Sequence, residues 1–256
     1  MSEAVGTARI NDASSEESNY GTLAAFLARP SGREGVDRVM KELLIGLLNG
    51  RYHSGQKLNA SKLAKELDVG LVPVREALHL LAGQGILELL PQKGARVRGL
   101  SQEEVGEWQE IFRVITLVGI RQAARSIRSH PENRTPLARA RAVIERLPAD
   151  ASSAQIVSAI LEFHRRINEF SGAAVVDEAS RRLQVVHWIS FLAKYAPLAA
   201  YRSDIASNYL RLADALHLGD GETAAAIFNY QVAHFDALIR GEQPETGMDW
   251  IPDARG

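Results

Sequence analysis

The 256-residue chain contains no cysteine. This absence excludes disulfide bonds, thiolate metal ligands, iron–sulfur clusters and a cysteine nucleophile, and it is typical of a protein in a reducing compartment. Aromatic residues make up only 6% of the chain. Its apolar runs are far shorter than the ~20 residues that a membrane-spanning helix needs. Because the polar, acid-bearing N-terminus is also unlike a signal peptide, we expect a cytoplasmic protein without a membrane partner.

An excess of charge of one sign is also lacking, since the formal net charge is −1. A balanced charge counts against a nucleic-acid partner, because phosphate binding normally requires a basic surface. The distribution along the chain reverses this expectation. Residues 33–100 carry 11 basic and 7 acidic side chains, whereas the segments before and after them have an acidic excess. A nucleic-acid partner is therefore expected at residues 33–100.

The chain is predicted to contain two domains and two tails. Residues 1–32 are rich in Ser, Glu, Asn and Gly and show no periodic apolar spacing until Leu23, which predicts a disordered tail. Residues 33–100 and 101–241 are each long enough for a domain with its own core. Residues 242–256 are rich in Pro, Gly and acidic residues and predict a C-terminal tail.

Residues 33–100 show three helical patterns followed by two extended runs. Apolar residues recur at helical spacing after Gly35, a second short helix is expected from Ala60, and a third from Val72 to Gly83. The runs ILELLP and RVRGL, joined by the glycine-containing turn QKGA, predict a β-hairpin. Three helices and a hairpin predict a winged helix-turn-helix, whose recognition helix enters the DNA major groove.

The stretch LNASKLAKELDVGLVPVREALHLLAGQGILELLPQKGARV resembles the N-terminal signature of the GntR family of bacterial transcription regulators. The resemblance implies that Arg75 grips a guanine edge or a phosphate, while the hairpin tip reaches the minor groove. The alternative is a solvated Arg75 paired with Glu76 or Glu66, and Lys62 is as readily solvated as bound to phosphate. The predicted DNA-binding residues are Lys62, Leu71, Val72, Arg75, Gln92, Lys93, Gly94 and Arg96.

The chain departs from this family pattern at positions that carry charge in relatives. Gly70 and Leu71 stand where relatives commonly have serine or threonine followed by arginine, and Ser61 replaces an arginine. Leu71 and Val72 are expected to touch a thymine methyl group instead. We therefore expect an operator that differs from the common family half-site, and a weaker salt dependence, because fewer phosphates are neutralised.

Residues 101–241 predict an all-α antiparallel bundle of six or seven helices of 10–20 residues, which makes the whole fold mainly α. The segments EWQEIFRVITLVGIRQAA, LEFHRRINEFSG and LADALHLGDGETAAAIFNYQVAHF resemble the FCD effector domain of the FadR subfamily. Many relatives hold a metal with three histidines and one carboxylate. Here only His164 matches, since Ile160, Tyr209 and Gln231 occupy the other positions. No metal and no cofactor are therefore expected, although His187 and His234 leave a shifted metal site open.

The loss of the metal ligands suggests a pocket of different chemistry. We expect His164, Tyr209 and Gln231 to offer hydrogen bonds to an effector and Arg113 to meet a carboxylate. The alternative is a filled core in which His164 and Tyr209 satisfy each other. The predicted apolar walls are Leu117, Ile160, Phe163 and Phe228.

These features together predict a homodimeric regulator that binds a pseudo-palindromic double-stranded operator. Repressors are commoner than activators in the family that the chain resembles, so we expect a repressor. A small organic acid or an acyl or aromatic ligand would change its operator binding. The alternative is an effector-independent DNA-binding regulator with a closed helical domain. An enzyme is not expected, because the chain has no glycine-rich phosphate loop, no G-x-S-x-G elbow and no H-E-x-x-H pair.

Overall fold

A computed structural model describes residue 24 and residues 31–91, 94–99, 101–182 and 197–244. The chain divides into two compact units, and in the described residues the division falls after Ser101. Helices dominate, accompanied by one small antiparallel sheet in the first unit. This architecture confirms the predicted winged helix-turn-helix followed by a helical bundle. No helix in the described ranges has the length and apolar character needed to cross a bilayer.

The first unit contains three helices and three strands. They are α1 (Glu34–Leu48), β1 (Lys57–Leu58), α2 (Ala60–Glu66), α3 (Leu71–Gly83), β2 (Leu87–Leu90) and β3 (Gly94–Val97). The Asn59 side chain caps α2 by accepting a hydrogen bond of 3.0 Å from the Lys62 backbone N–H. The apolar face of α1 packs on the buried face of α3, and this contact forms the core of the unit.

The sheet has a strand that the sequence does not predict. The sequence patterns assign no element to Lys57 and Leu58, but these residues pair with Arg96 and Ala95, giving the antiparallel order β1-β3-β2. Two residues are too few for an alternating pattern, so this strand is specified by its partner β3 rather than by its own sequence. The close approach also explains Gly94, which has φ +90°, because a Cβ atom there would overlap the Leu58 carbonyl oxygen.

The second unit is a bundle of α-helices. Its described elements are α4 (Gln102–Ser129), α5 (Arg134–Glu145), α6 (Ser153–Ser171), α7 (Ala174–Arg182), α8 (Arg202–His217) and α9 (Gly221–Ile239), with 3-10 turns at Pro131–Asn133 and Leu198–Tyr201. At 28 residues, α4 is longer than the predicted 10–20. Its internal glycines do not break it, and Gly119 leaves room for the Asn168 side chain of α6. Because α4 packs on α6 and α9, and α8 packs on α9, these helices share one core.

One described position in the N-terminal segment, Ala24, differs from the predicted disordered tail. Ala24 is helical and fully buried, and it falls within the apolar run that begins near Leu23. The rest of residues 1–30 lies outside the described residues. Next to α1, the Ser31 backbone N–H donates a hydrogen bond of 2.6 Å to the Asp37 carboxylate. Of the predicted C-terminal tail, only residues 242–244 are described.

Candidate nucleic-acid interface and candidate ligand site

Helix α3 turns a mixed apolar and polar face outward. It buries Val74, Ala77, Leu78 and Leu81, so the residues on the opposite side of the helical turn face solvent. Val72 is 75% exposed, Arg75 and His79 are exposed as well, and Leu71 is half-buried. An exposed aliphatic side chain beside a guanidinium suits contacts to a thymine methyl and a guanine edge.

Arg75 does not form the surface ion pair that the sequence leaves open. The carboxylate of its neighbour Glu76 pairs with Arg33, from the segment before α1. Within the described part of the chain, Arg75 forms no hydrogen bond or ion pair with Glu76 or Glu66. The Arg75 guanidinium is therefore available to a partner outside the chain. Lys62, on α2, is also exposed.

The wing is only partly described, because Gln92 and Lys93 at its tip lie outside the described residues. Gly94 begins β3, and its contact with β1 gives an internal reason for a glycine there, independent of DNA. Arg96 is exposed, but its Nε lies 3.6 Å from the Glu88 carboxylate on the paired strand β2. The charge of Arg96 is thus partly balanced within the wing.

A cleft of about 610 Å³ lies between α3 and the wing. Arg75 and His79 line one side of this cleft, and Asn59 and Ser61, at the start of α2, line it as well. Leu89, Leu90, Pro91 and Gly94 complete the lining on the wing side. The sequence prediction missed His79, although its spacing of four residues from Arg75 places both side chains on neighbouring positions of one helix face.

His164 lies in the core of the second unit, and its Nε2 is 3.1 Å from the Tyr209 hydroxyl oxygen. The rings of Phe163, Tyr209 and Phe228 stand edge-on to the imidazole, with centroids 5.3 to 5.6 Å away, and Phe112 follows at 6.5 Å. Burial lowers the pKa of His164 to about 3, because the apolar surroundings disfavour the imidazolium. Burial likewise raises the pKa of Tyr209. The pair is therefore neutral near pH 7.

Several buried nitrogen atoms of the second unit have no hydrogen-bond partner among the described residues. The Gln231 side-chain oxygen accepts a hydrogen bond of 2.8 Å from Asn208, but its Nε2 is unpartnered. His164 Nδ1 and both ring nitrogens of His234 are also buried without a partner. Because buried polar groups are nearly always satisfied in folded proteins, an unpaired atom of this kind favours a place where water or a ligand binds. We call His164, Tyr209, Asn208 and Gln231 the polar cluster.

The structure brings some of the predicted effector residues together and leaves one apart. Phe163 and Phe228 contact the His164 ring, and the other predicted wall residues, Leu117 and Ile160, are buried. Arg113 remains partly exposed, and its guanidinium donates hydrogen bonds to Glu110 (2.8 Å) and Asn229 (3.2 Å). Phe112 and Asn208 were missed by the sequence reasoning, although the amphipathic phase of α4 and α8 places both on buried faces.

The possibility of a shifted metal site finds no support in the described residues. Among them, no three His, Asp or Glu side chains form a group that could hold a metal ion. The His234 ring instead meets the rings of Tyr201 and Tyr230, with centroids 5.3 and 6.4 Å away. Burial lowers the pKa of His234 more than the nearby Asp204 raises it. His187 lies outside the described residues.

Comparison with known proteins matches both units to described families. Residues 36–97 match the family "Bacterial regulatory proteins, gntR family", and residues 107–234 match the FCD domain. The chain is 40% identical over 74 residues to the gluconate operon transcriptional repressor of Bacillus licheniformis. That match covers 29% of this chain and 30% of the repressor, so it concerns less than a third of either protein.

Two longer similarities extend over both units. A Paenarthrobacter nicotinovorans protein named "Probable D-xylose utilization operon transcriptional repressor" is 26% identical over 205 residues, covering 78% of this chain and 86% of its own length. The solved structure of Escherichia coli McbR/YncC has a TM-score of 0.70 at 21% identity and covers 82% of this chain and 98% of its own, which supports the fold. The chain therefore belongs to the GntR family of bacterial transcription regulators, with the FCD domain of the FadR subfamily, and thus to a family of regulators rather than enzymes.

Proposed function

We propose that this regulator is a homodimeric repressor whose operator binding is changed by a small molecule in its helical domain. In this proposal residues 33–100 bind DNA and residues 101–241 bind the effector and form the dimer. A dimer with two-fold symmetry presents two α3 helices, and it therefore binds a pseudo-palindromic operator. The observation that carries the sensing part is that His164 Nδ1 and Gln231 Nε2, at the polar cluster, are buried and have no partner in the part of the chain that the structure describes.

The first step of the proposal concerns DNA. Arg75 lies on the exposed face of α3 with a guanidinium that has no partner in the described part of the chain, and Leu71 and Val72 supply aliphatic contacts beside it. The predicted contact surface is completed by Lys62 on α2 and by the wing residues Gln92, Lys93, Gly94 and Arg96. Because base edges specify sequence while phosphates fix position, Arg75 is assigned to a base edge and Lys62 to a phosphate.

The second step concerns the effector. Gln231 Nε2 is an amide donor, and a ring nitrogen of His164 can donate as well, so an oxygen-bearing ligand satisfies atoms that have no partner among the described residues. Phe163 and Phe228 offer apolar surface to an acyl or aromatic part of the same molecule. Arg113 reaches a ligand carboxylate only after leaving Glu110 and Asn229. The ligand releases DNA if it binds more tightly to a dimer whose two wings no longer match the half-sites.

The test uses the full chain and an operator selected from random DNA. Mass spectrometry of the purified protein identifies any bound small molecule, and calorimetry measures binding of organic acids, acyl compounds and Zn²⁺. We expect one compound to bind and to weaken operator affinity at least tenfold. Gln231→Leu should abolish that response while leaving operator binding intact, and Arg113→Ala tests the carboxylate contact. Tight Zn²⁺ binding would overturn the metal-free assignment.

One observation favours a second candidate function, an effector-independent regulator. His164 bonds directly to Tyr209, and Asn208 bonds directly to Gln231, so each of these side chains already has one partner within the core. A closed core of this kind leaves operator affinity unchanged across the whole ligand panel. Under that outcome Gln231→Leu would alter stability but not DNA binding in the presence of any ligand.

A further inference from the structure

His79 is the one polar side chain on the exposed face of α3 that the proposed function does not use. It is exposed, and in the described part of the chain it makes no hydrogen bond or ion pair. It lies one helical turn after Arg75 and seven residues after Val72, so these three side chains follow one stripe along α3. A stripe that faces solvent on a recognition helix faces the DNA when the helix is bound.

The cleft beside His79 lies where a winged helix-turn-helix docked on DNA would meet one DNA strand. A winged helix-turn-helix places its recognition helix in the major groove and its wing in the adjacent minor groove. In B-DNA those two grooves are separated by one sugar–phosphate strand. Docking of this kind would place that strand in the cleft lined by Arg75 and His79 on α3 and by Leu89, Pro91 and Gly94 on the wing. Its volume of about 610 Å³ is open to solvent along the surface of the unit.

The positions of Arg75 and His79 along α3 indicate different contacts with DNA. Recognition helices contact base edges mainly with their N-terminal residues, and Arg75 is the fifth residue of α3 whereas His79 is the ninth. His79 thus lies beyond the base-reading part of the helix. The apolar residues Leu89 and Leu90 on the opposite wall suit contact with deoxyribose rather than with an ionic group.

From this juxtaposition we propose that His79 donates a hydrogen bond to a phosphate of the strand that crosses the cleft between α3 and the wing. The proposal rests on the proposed function, since it requires that α3 binds DNA. An imidazole carries at least one N–H in either protonation state, so the contact does not depend on a charged ring. It supplies a backbone contact in a region where Ser61 and Leu71 stand in place of the arginines common in relatives.

The first experiment compares His79→Ala, His79→Gln and the control His53→Ala on the full chain. His53 is also exposed in the first unit, but it does not line the cleft. We expect His79→Ala to weaken binding about tenfold on every operator variant, because hydrogen bonds to charged groups are among the stronger ones. His79→Gln keeps an N–H donor and should retain most of the affinity, and His53→Ala should bind as the wild type does.

The second experiment locates the contact. The selected operator is synthesised with one methylphosphonate at a time, which removes the charge of a single phosphate. One substitution in each half-site should weaken the wild type but add no further loss to His79→Ala. Unchanged affinity of His79→Ala, or a changed base preference at one operator position, overturns the phosphate contact. If the wild type shows no sequence-specific DNA binding, the proposed function itself fails.

Discussion

The contact between His164 and Tyr209 makes the Tyr209→Phe substitution informative. The substitution removes one oxygen atom and keeps the aromatic ring in its edge-on contacts with Phe163 and His164. It leaves His164 Nε2 without its partner at 3.1 Å, on a ring whose Nδ1 is already unpaired. The imidazole would then be a buried group with no hydrogen bond at all among the described residues.

The expected cost follows from that loss. A buried polar group left unpaired costs about 1–3 kcal/mol of unfolding free energy. With a urea dependence of about 2 kcal/mol per molar, the unfolding midpoint of the helical unit should fall by roughly 1 M. The measurement is urea unfolding followed by circular dichroism at pH 7.5. Tyr201→Phe is a matched control, because it also removes a hydroxyl group next to a buried histidine, His234.

A double-mutant cycle completes the test. Replacing both partners, as in His164→Leu with Tyr209→Phe, removes the unpaired polar groups together and should be much less destabilising than the sum of the single changes. A midpoint of Tyr209→Phe equal to that of Tyr201→Phe would refute the reasoning. So would strict additivity in the cycle, since it would mean that the two side chains do not interact.

Three further predictions concern pH, the wing and DNA. The pKa of His164 in the folded protein, about 3, lies below its ordinary value near 6.5. The free energy of unfolding should therefore be highest above pH 6.5 and should fall by up to about 1.4 kcal/mol per pH unit towards pH 3. Urea unfolding measured between pH 7 and pH 4 should show this slope in the wild type and lose it in the His164→Leu variant. Gly94→Ala should destabilise the first unit by about 1–3 kcal/mol in urea unfolding, because the added Cβ overlaps the Leu58 carbonyl oxygen and φ at this position is positive. A variant as stable as the wild type would show that β1 can move aside. Arg75→Ala should weaken operator binding at least tenfold and relax the preference for one base pair. Lys62→Ala should weaken binding to all DNA sequences alike and reduce the slope of log affinity against log salt concentration by about one. The reverse pattern in anisotropy titrations would exchange the roles of the two residues.

Local patterns predicted the helices of the first unit well. The apolar spacing after Gly35 and the glycine at the end of α3 mark elements that the structure places within a residue or two of the prediction. Strand β1 could not be predicted in this way, because Lys57 and Leu58 owe their conformation to pairing with β3. The general range of 10–20 residues underestimated the length of α4, which runs for 28 residues through Gly119, where the Asn168 side chain packs closely.

The candidate ligand site shows the same division between local and tertiary information. The resemblance brought His164 and Tyr209 into one predicted cluster, and the structure joins them by a direct contact. It did not predict that Asn208 would hold the Gln231 oxygen, because that depends on the relative rotation of α8 and α9. Nor could sequence predict the orientation of Arg113, which depends on a competition between nearby acceptors such as Glu110 and Asn229.

If residues 33–100 bind DNA as proposed, the ion pair between Arg33 and Glu76 places part of the control of DNA affinity outside the helix-turn-helix motif. Glu76 lies next to Arg75, and an unpaired carboxylate there would repel DNA phosphates. Arg33 balances that charge from the segment before α1 and lies outside residues 36–97, which match the GntR family. Natural variation at position 33 would therefore shift operator affinity among relatives whose recognition helices are identical. Comparing recognition helices alone would attribute that shift to the wrong residues.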